Sequence, residues 1–201
     1  MEVVQSDTEA MLIINCNEEA LSYLLNIPSE YQEVEYIQAS WGQLIKTGVY
    51  MNTTWYYAIL DYQNTATYPT DQAIFWFYMD SEAYAYRTWY NANDGFTLTK
   101  WATSLDRQTA TWSKTTRSNS NYQFYMFAKQ RYSDWRYDCH CYAKLYSCKI
   151  YDNSDTLLRN FYCCYRKSDN VIGLYDKVND VFYTNQWSWS FTKWPDYKRT
   201  D

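Results

Sequence analysis

The chain has 201 residues, a mass of 24.3 kDa and a formal net charge of −5. Aromatic residues make up 21% of it (24 Tyr, 10 Trp and 8 Phe), whereas glycine occurs only four times. So modest a charge and so much core material argue against a disordered chain, and no apolar run approaches the ~20 residues that span a bilayer as a helix.

Residues 1–30 differ from the rest. They carry Glu2, Asp7 and Glu9, and the first basic residue is Lys46, so no Sec signal with a positive n-region is expected. Asn17-Glu18-Glu19 followed by Leu21, Leu24 and Leu25 predicts a short capped helix, with acids at its positive end. Asn26 and Pro28 end it. The division expected is a helical lead-in or connector over 1–30 and one domain over 31–201.

From Tyr31 onward the period is two. Thr54–Gln63, Glu82–Tyr90, Gly95–Trp101, Tyr122–Ala128 and Cys141–Tyr151 all alternate, and Gln72–Met79 is a nearly continuous apolar run, as in a strand buried on both faces. Asn/Asp/Ser clusters mark turns at Asn91–Gly95, Asp152–Asp155, Ser168–Asn170 and Val178–Asp180. About ten to thirteen short strands without amphipathic helices between them predict an all-β fold, a two-sheet antiparallel β-sandwich or jelly roll.

Six cysteines are present: Cys16, Cys139, Cys141, Cys148, Cys163 and Cys164. Cys139-His140-Cys141 has the look of a metal fragment, but there is no CxxC pair and His140 is the only histidine. In one regular strand over 139–151, Cys139 and Cys141 would face one side and Cys148 the other. Reduced, strand-borne cysteines are expected, with no metal and no cofactor.

Charge divides unevenly: residues 1–99 hold 13 acidic and 2 basic side chains, and residues 100–201 hold 10 and 16. Mutual neutralisation within one fold explains this better than a basic face, because no Lys/Arg run exceeds two residues, at Arg166-Lys167 and Lys198-Arg199. Nucleic acid is therefore not an expected partner. The chain has no phosphate-binding glycine loop, HExxH or GxSxG. Glu33 and Glu35 share a strand face, but no Glu-x-Asp-x-x-Glu pattern accompanies them. No catalysis is expected.

The positive signal is the aromatic surplus. A two-sheet core of this size absorbs roughly twenty to thirty aromatics, so part of the set must lie on outer faces or loops. Flat rings beside Asn, Asp and Arg suit sugars, whose C–H faces stack while their hydroxyls hydrogen-bond. Trp89, Tyr90, Trp187 and Trp189 are the candidate ligand-binding residues. The competing reading places such rings at core edges or in a protein–protein interface.

Two sets of segments carry a family resemblance. The opening set is Pro28-Ser-Glu-Tyr-Gln-Glu-Val-Glu-Tyr-Ile-Gln38 and Gln43-Leu-Ile-Lys-Thr-Gly48. The closing set is Ala143–Asp152, Arg159-Asn-Phe161, Cys164-Tyr-Arg-Lys-Ser-Asp169, Val171-Ile-Gly-Leu-Tyr-Asp176 and Val181-Phe-Tyr-Thr-Asn185. Over roughly 28–196 the chain resembles a β-sandwich module of gut-bacterial phage structural proteins and Firmicute surface proteins. The resemblance implies a concanavalin A-like or laminin-G-like jelly roll, carried on a tail fibre, baseplate or cell surface. A glycan or cell-surface receptor would be its partner, along with other virion proteins, and it would sit on a virion or at the host-cell exterior.

The departures from that family lie at tryptophans. Trp41, Trp187, Trp189 and Trp194 stand where it tends to carry glycine. Where such a glycine has positive φ, tryptophan is strained by about 1–2 kcal/mol. Three accounts stand open at this point. The turns were remodelled into an aromatic patch at one end of the sandwich, or mutation was biased, since one base separates a glycine codon from UGG or UGA, or UGA codons that the source genome reads otherwise are written as tryptophan.

Overall fold

The computed structural model describes residues 27–50, 56–66, 73–79, 82–87, 105–114, 123–130, 137–138 and 141–196. They form fourteen strands and no helix. In chain order these are β1 (Tyr31–Ser40), β2 (Ile45–Tyr50), β3 (Tyr56–Asn64), β4 (Ala73–Met79), β5 (Glu82–Arg87), β6 (Arg107–Lys114) and β7 (Gln123–Met126). Then follow β8 (Lys129–Gln130), β9 (Tyr137–Asp138), β10 (Tyr142–Asp152), β11 (Leu157–Arg166), β12 (Ile172–Asp176), β13 (Val181–Thr184) and β14 (Thr192–Asp196). The expected helix near 17–25 and the expected strand Gly95–Trp101 lie outside the described residues.

All pairings are antiparallel. An eight-stranded sheet runs β13-β12-β11-β1-β10-β3-β6, with β14 along β1, and a four-stranded sheet runs β2-β7-β4-β5. One buried cluster joins them: Ile37, Leu60, Leu145, Ile150 and Phe161 of the large sheet with Ile45, Phe75, Phe124 and Met126 of the small one. Each such side chain contributes about 1.5–3 kcal/mol by leaving water. The architecture is thus an antiparallel β-sandwich.

β3 shows the alternation that generates the sandwich: Tyr56, Ala58, Leu60, Tyr62 and Asn64 are buried and the residues between them are half-exposed. In β4, adjacent Ile74 and Phe75 are both fully buried, as its apolar run predicts. All three closing turns have the chemistry the sequence predicts. Asp155, Asn170 and Asp180 take φ of 59°, 58° and 55°, the left-handed region that Asn and Asp tolerate best.

Two expectations are corrected. Cys141 and Cys148 do not face opposite sides; both are buried in the same core cluster. The register of β10 against β3 shifts between Leu145 and Ser147, so inward positions pass from Ala143 and Leu145 to Cys148 and Ile150. A bulge that adds one residue inverts the period-two pattern beyond it. The stretch Tyr122–Ala128 does not alternate either: Phe124 to Ala128 are all buried. β7 lies between β2 and β4, and Phe127 leaves the strand at φ 70°.

β1 explains the bulge. It pairs with β11 over Tyr31–Glu33 and with β10 over Ile37–Ser40, so it enters the fork where β10 and β11 part. At the fork the Cys163 thiol donates to the Leu145 carbonyl at 3.0 Å. Beyond Ser40 the chain turns sharply into β2, and that turn meets the β13–β14 connection at one end of the sandwich.

Candidate tryptophan-bearing site

The end of the sandwich is built from two turns, 41–44 and 185–191, bolted together by two amide side chains. Gln43 is buried: its Oε1 accepts from the Ser40 N–H at 2.9 Å and its Nε2 donates to the Ser190 carbonyl at 2.8 Å. Asn185 does the reciprocal work. Its Oδ1 accepts from the N–H groups of Leu44 (2.8 Å) and Trp187 (3.1 Å), while its Nδ2 donates to the Trp187 carbonyl at 3.2 Å and to that of Trp189. Backbone bonds complete the seam, from Gln186 N–H to Leu44 O at 2.9 Å and from Trp189 N–H to Gly42 O at 3.4 Å. Below, Phe191 is buried against Phe127 with ring centroids 4.9 Å apart.

Three indoles project from this frame. Trp41, Trp187 and Trp189 are 42%, 38% and 59% exposed. Trp41 leans on Tyr142, ring centroids 5.6 Å apart at 36°. Trp189 lies over the backbone of Gly42, where an added Cβ would stand 3.3 Å from its ring carbons. Beside them opens a cleft of about 370 Å³ lined by Asp169, Asn170, Asn185, Trp187, Ser188 and Trp189, among others. Asp169 is charge-compensated there. The Arg166 guanidinium grips its carboxylate at 2.6 Å, and this bond, helped by the Val171 N–H, holds its pKa below the usual carboxylate range.

Of the four residues expected from sequence, Trp187 and Trp189 therefore share one site. Trp89 and Tyr90 lie outside the described residues. Trp41 entered the sequence reading as a departure from glycine that a remodelled aromatic patch would explain, and Gln43 and Asn185 only as members of the resembling segments, with no role in a site. Their partners lie up to 147 positions away in the chain, a proximity that local pattern does not encode. The anticipated backbone strain falls on one tryptophan. Among the described residues Trp41 alone of the tryptophans has positive φ, at 72°; Trp187, Trp189 and Trp194 do not.

A larger groove of about 870 Å³ crosses the outer face of the eight-stranded sheet over the fork, with Glu33, Glu35, Asp61, Arg107, Tyr146 and Tyr162 among its lining. Its central groups already engage one another. Arg107 donates two hydrogen bonds to the Asp61 carboxylate, at 2.9 and 2.6 Å, and lies 3.7 Å above the Tyr146 ring centroid, covering the face on which a ligand ring would stack.

The four described cysteines, Cys141, Cys148, Cys163 and Cys164, are free and buried. Burial pushes their thiols up, Cys164 to about 12. Among the described residues no group of three His, Cys, Asp or Glu is placed to hold a metal ion, and Cys139 and His140 lie outside them. No described helix is long and apolar enough to cross a membrane. No family model, curated protein or solved structure matches the chain.

Proposed function

We propose that this chain is a non-catalytic binding module of a phage or phage-derived structural protein that recognises a glycan or a cell-surface receptor, and of the two the site favours the glycan. On this reading the sandwich is a concanavalin A-like jelly roll, residues 1–30 are a helical connector to the rest of the particle, and the site of action is the virion or the host-cell exterior. The observation that carries the reading is the tryptophan end: three exposed indoles on turns whose backbone is fixed by Gln43 and Asn185, beside a cleft with amide and hydroxyl groups. Aromatic faces with a few oriented polar groups suit a pyranose, whose ring stacks while its hydroxyls bond. A frame already hydrogen-bonded pays little ordering entropy on binding. An array of immobilised bacterial-surface glycans tests it: retention is expected, and Trp187→Ala or Trp189→Ala should weaken it.

A second reading, a purely structural module held by other virion proteins, draws on Val178 and Val181, each 42% exposed on the hairpin that edges the large sheet. Co-purification with particles that survives Val181→Lys would count against that edge as the contact.

A further inference from the structure

Position 41 is out of keeping with its side chain. Trp41 holds φ at 72° and Gly42 follows at 112°, so two successive residues occupy backbone that glycine adopts freely and tryptophan resists. Strain of this kind persists where the surroundings over-determine it, and it concentrates at binding sites. The surroundings here are identifiable. Gln43 and the seam to Ser190 fix the turn from beneath, and the Gly42 carbonyl receives the Trp189 N–H. The indole itself contributes little to the core: it is 42% exposed and does not belong to the buried cluster that joins the sheets.

We infer that Trp41 is a third ligand-contacting residue of the tryptophan end, and that the ligand is a neutral oligosaccharide lying across Trp41 and Trp189 and entering the Asn185 cleft. The inference rests on the glycan reading and deepens it. The ligand is neutral because the one charged side chain in the cleft lining, Asp169, is already paired with Arg166. It is an oligosaccharide because such a chain offers several stackable rings to the indoles carried on the two joined turns, 41–44 and 185–191. Trp41 thus belongs to the site at the expense of its own turn.

This makes the effects of Trp41→Gly on stability and on binding opposite in sign. Glycine relieves the left-handed conformation, so the thermal midpoint is retained or raised by a few degrees, on the ~2–4 °C scale of one modest interaction in a chain this size. Retention on an array of immobilised neutral oligosaccharides should fall about tenfold or more, as for an interface anchor. It should be indifferent to added salt, because no ion pair to the ligand is being screened. A midpoint lowered by several degrees with retention unchanged would overturn the inference and make Trp41 structural packing. Full retention by Trp41→Gly alongside loss in Trp189→Ala would overturn it while leaving the glycan reading intact. Failure of the wild-type chain to bind any oligosaccharide would overturn both. Retention that falls steeply with salt would overturn the neutral ligand.

Discussion

Glycine is scarce in this chain, and at position 173 the fold leaves no room for any other residue. A Cβ on Gly173 would stand 2.2 Å from the Tyr183 carbonyl oxygen, in the backbone of the neighbouring strand β13. Gly173→Ala must therefore push β12 and β13 apart; the expected loss is at least the ~1–3 kcal/mol of an overpacked core, read as a lower urea midpoint. The tryptophans are the converse case. On the proposed glycan reading the indoles at 41, 187 and 189 form a sugar-binding platform, so the coding DNA is expected to read UGG there, and the intact mass of the protein from its source to match tryptophan. UGA codons with glycine-sized masses would remove the platform altogether. The thiols give a pH dependence. Burial raises the folded-state values of Cys141, Cys148, Cys163 and Cys164 above the ordinary 9.0, Cys164 to about 12. The folded chain then binds more protons than the unfolded one, so this stability is complete below pH 9 and is lost as pH rises from about 9 toward 12. Thermal midpoints measured across that window should fall, and alkylation of the native protein at pH 8 should spare all four residues.

At the scale of elements, the sheets are joined by the Arg159 guanidinium, held within the large sheet by Asp176, as well as by apolar packing. Asp176 at the end of β12 is fully buried and lies 3.4 Å from Arg159 of β11. It also accepts from the N–H groups of Asn160 at 2.9 Å and Val178 at 3.1 Å, and from Asn179 Nδ2 at 2.7 Å. Arg159 then reaches across to β2, where it donates to the carbonyls of Thr47 at 2.9 Å and Gly48 at 3.2 Å. Asp176→Ala leaves the guanidinium without its counter-charge and the N–H groups of Asn160, Val178 and the Asn179 side chain without their acceptor, which costs about 3–5 kcal/mol. Chemical denaturation checks this; a loss below 1 kcal/mol would show that water replaces the carboxylate. Much at this scale was legible in the sequence. The alternation of β3 and the three turns ending at Asp155, Asn170 and Asp180 follow from local preference for the pleat and for left-handed backbone. The bulge in β10 was not legible. It arises because β1 enters between β10 and β11, a pairing across more than a hundred residues, and it reverses the direction in which Cys148 points.

At the scale of the molecule, the aromatic surplus divides as its size requires. Phe75, Phe124, Phe127 and Phe161 are among the largest fully buried side chains, whereas Trp41, Trp187 and Trp189 are exposed together at one end. Composition foretold both populations, and alternation foretold the sandwich that separates them. Neither by itself brings Trp41 to Trp187 and Trp189; the family resemblance raised that meeting as one account of its departures from glycine, and Gln43 and Asn185 make it by locking two turns far apart in the chain. The account makes this end the ligand-binding surface, and affinity for an immobilised glycan, compared between the wild-type chain and its Trp187→Ala and Trp189→Ala variants, tests that claim most directly. It predicts a weakening of about 1–3 kcal/mol in each variant, the scale of a truncated interface anchor, with the β-sandwich circular dichroism unchanged. Equal affinity in all three proteins, with the fold intact, would contradict it.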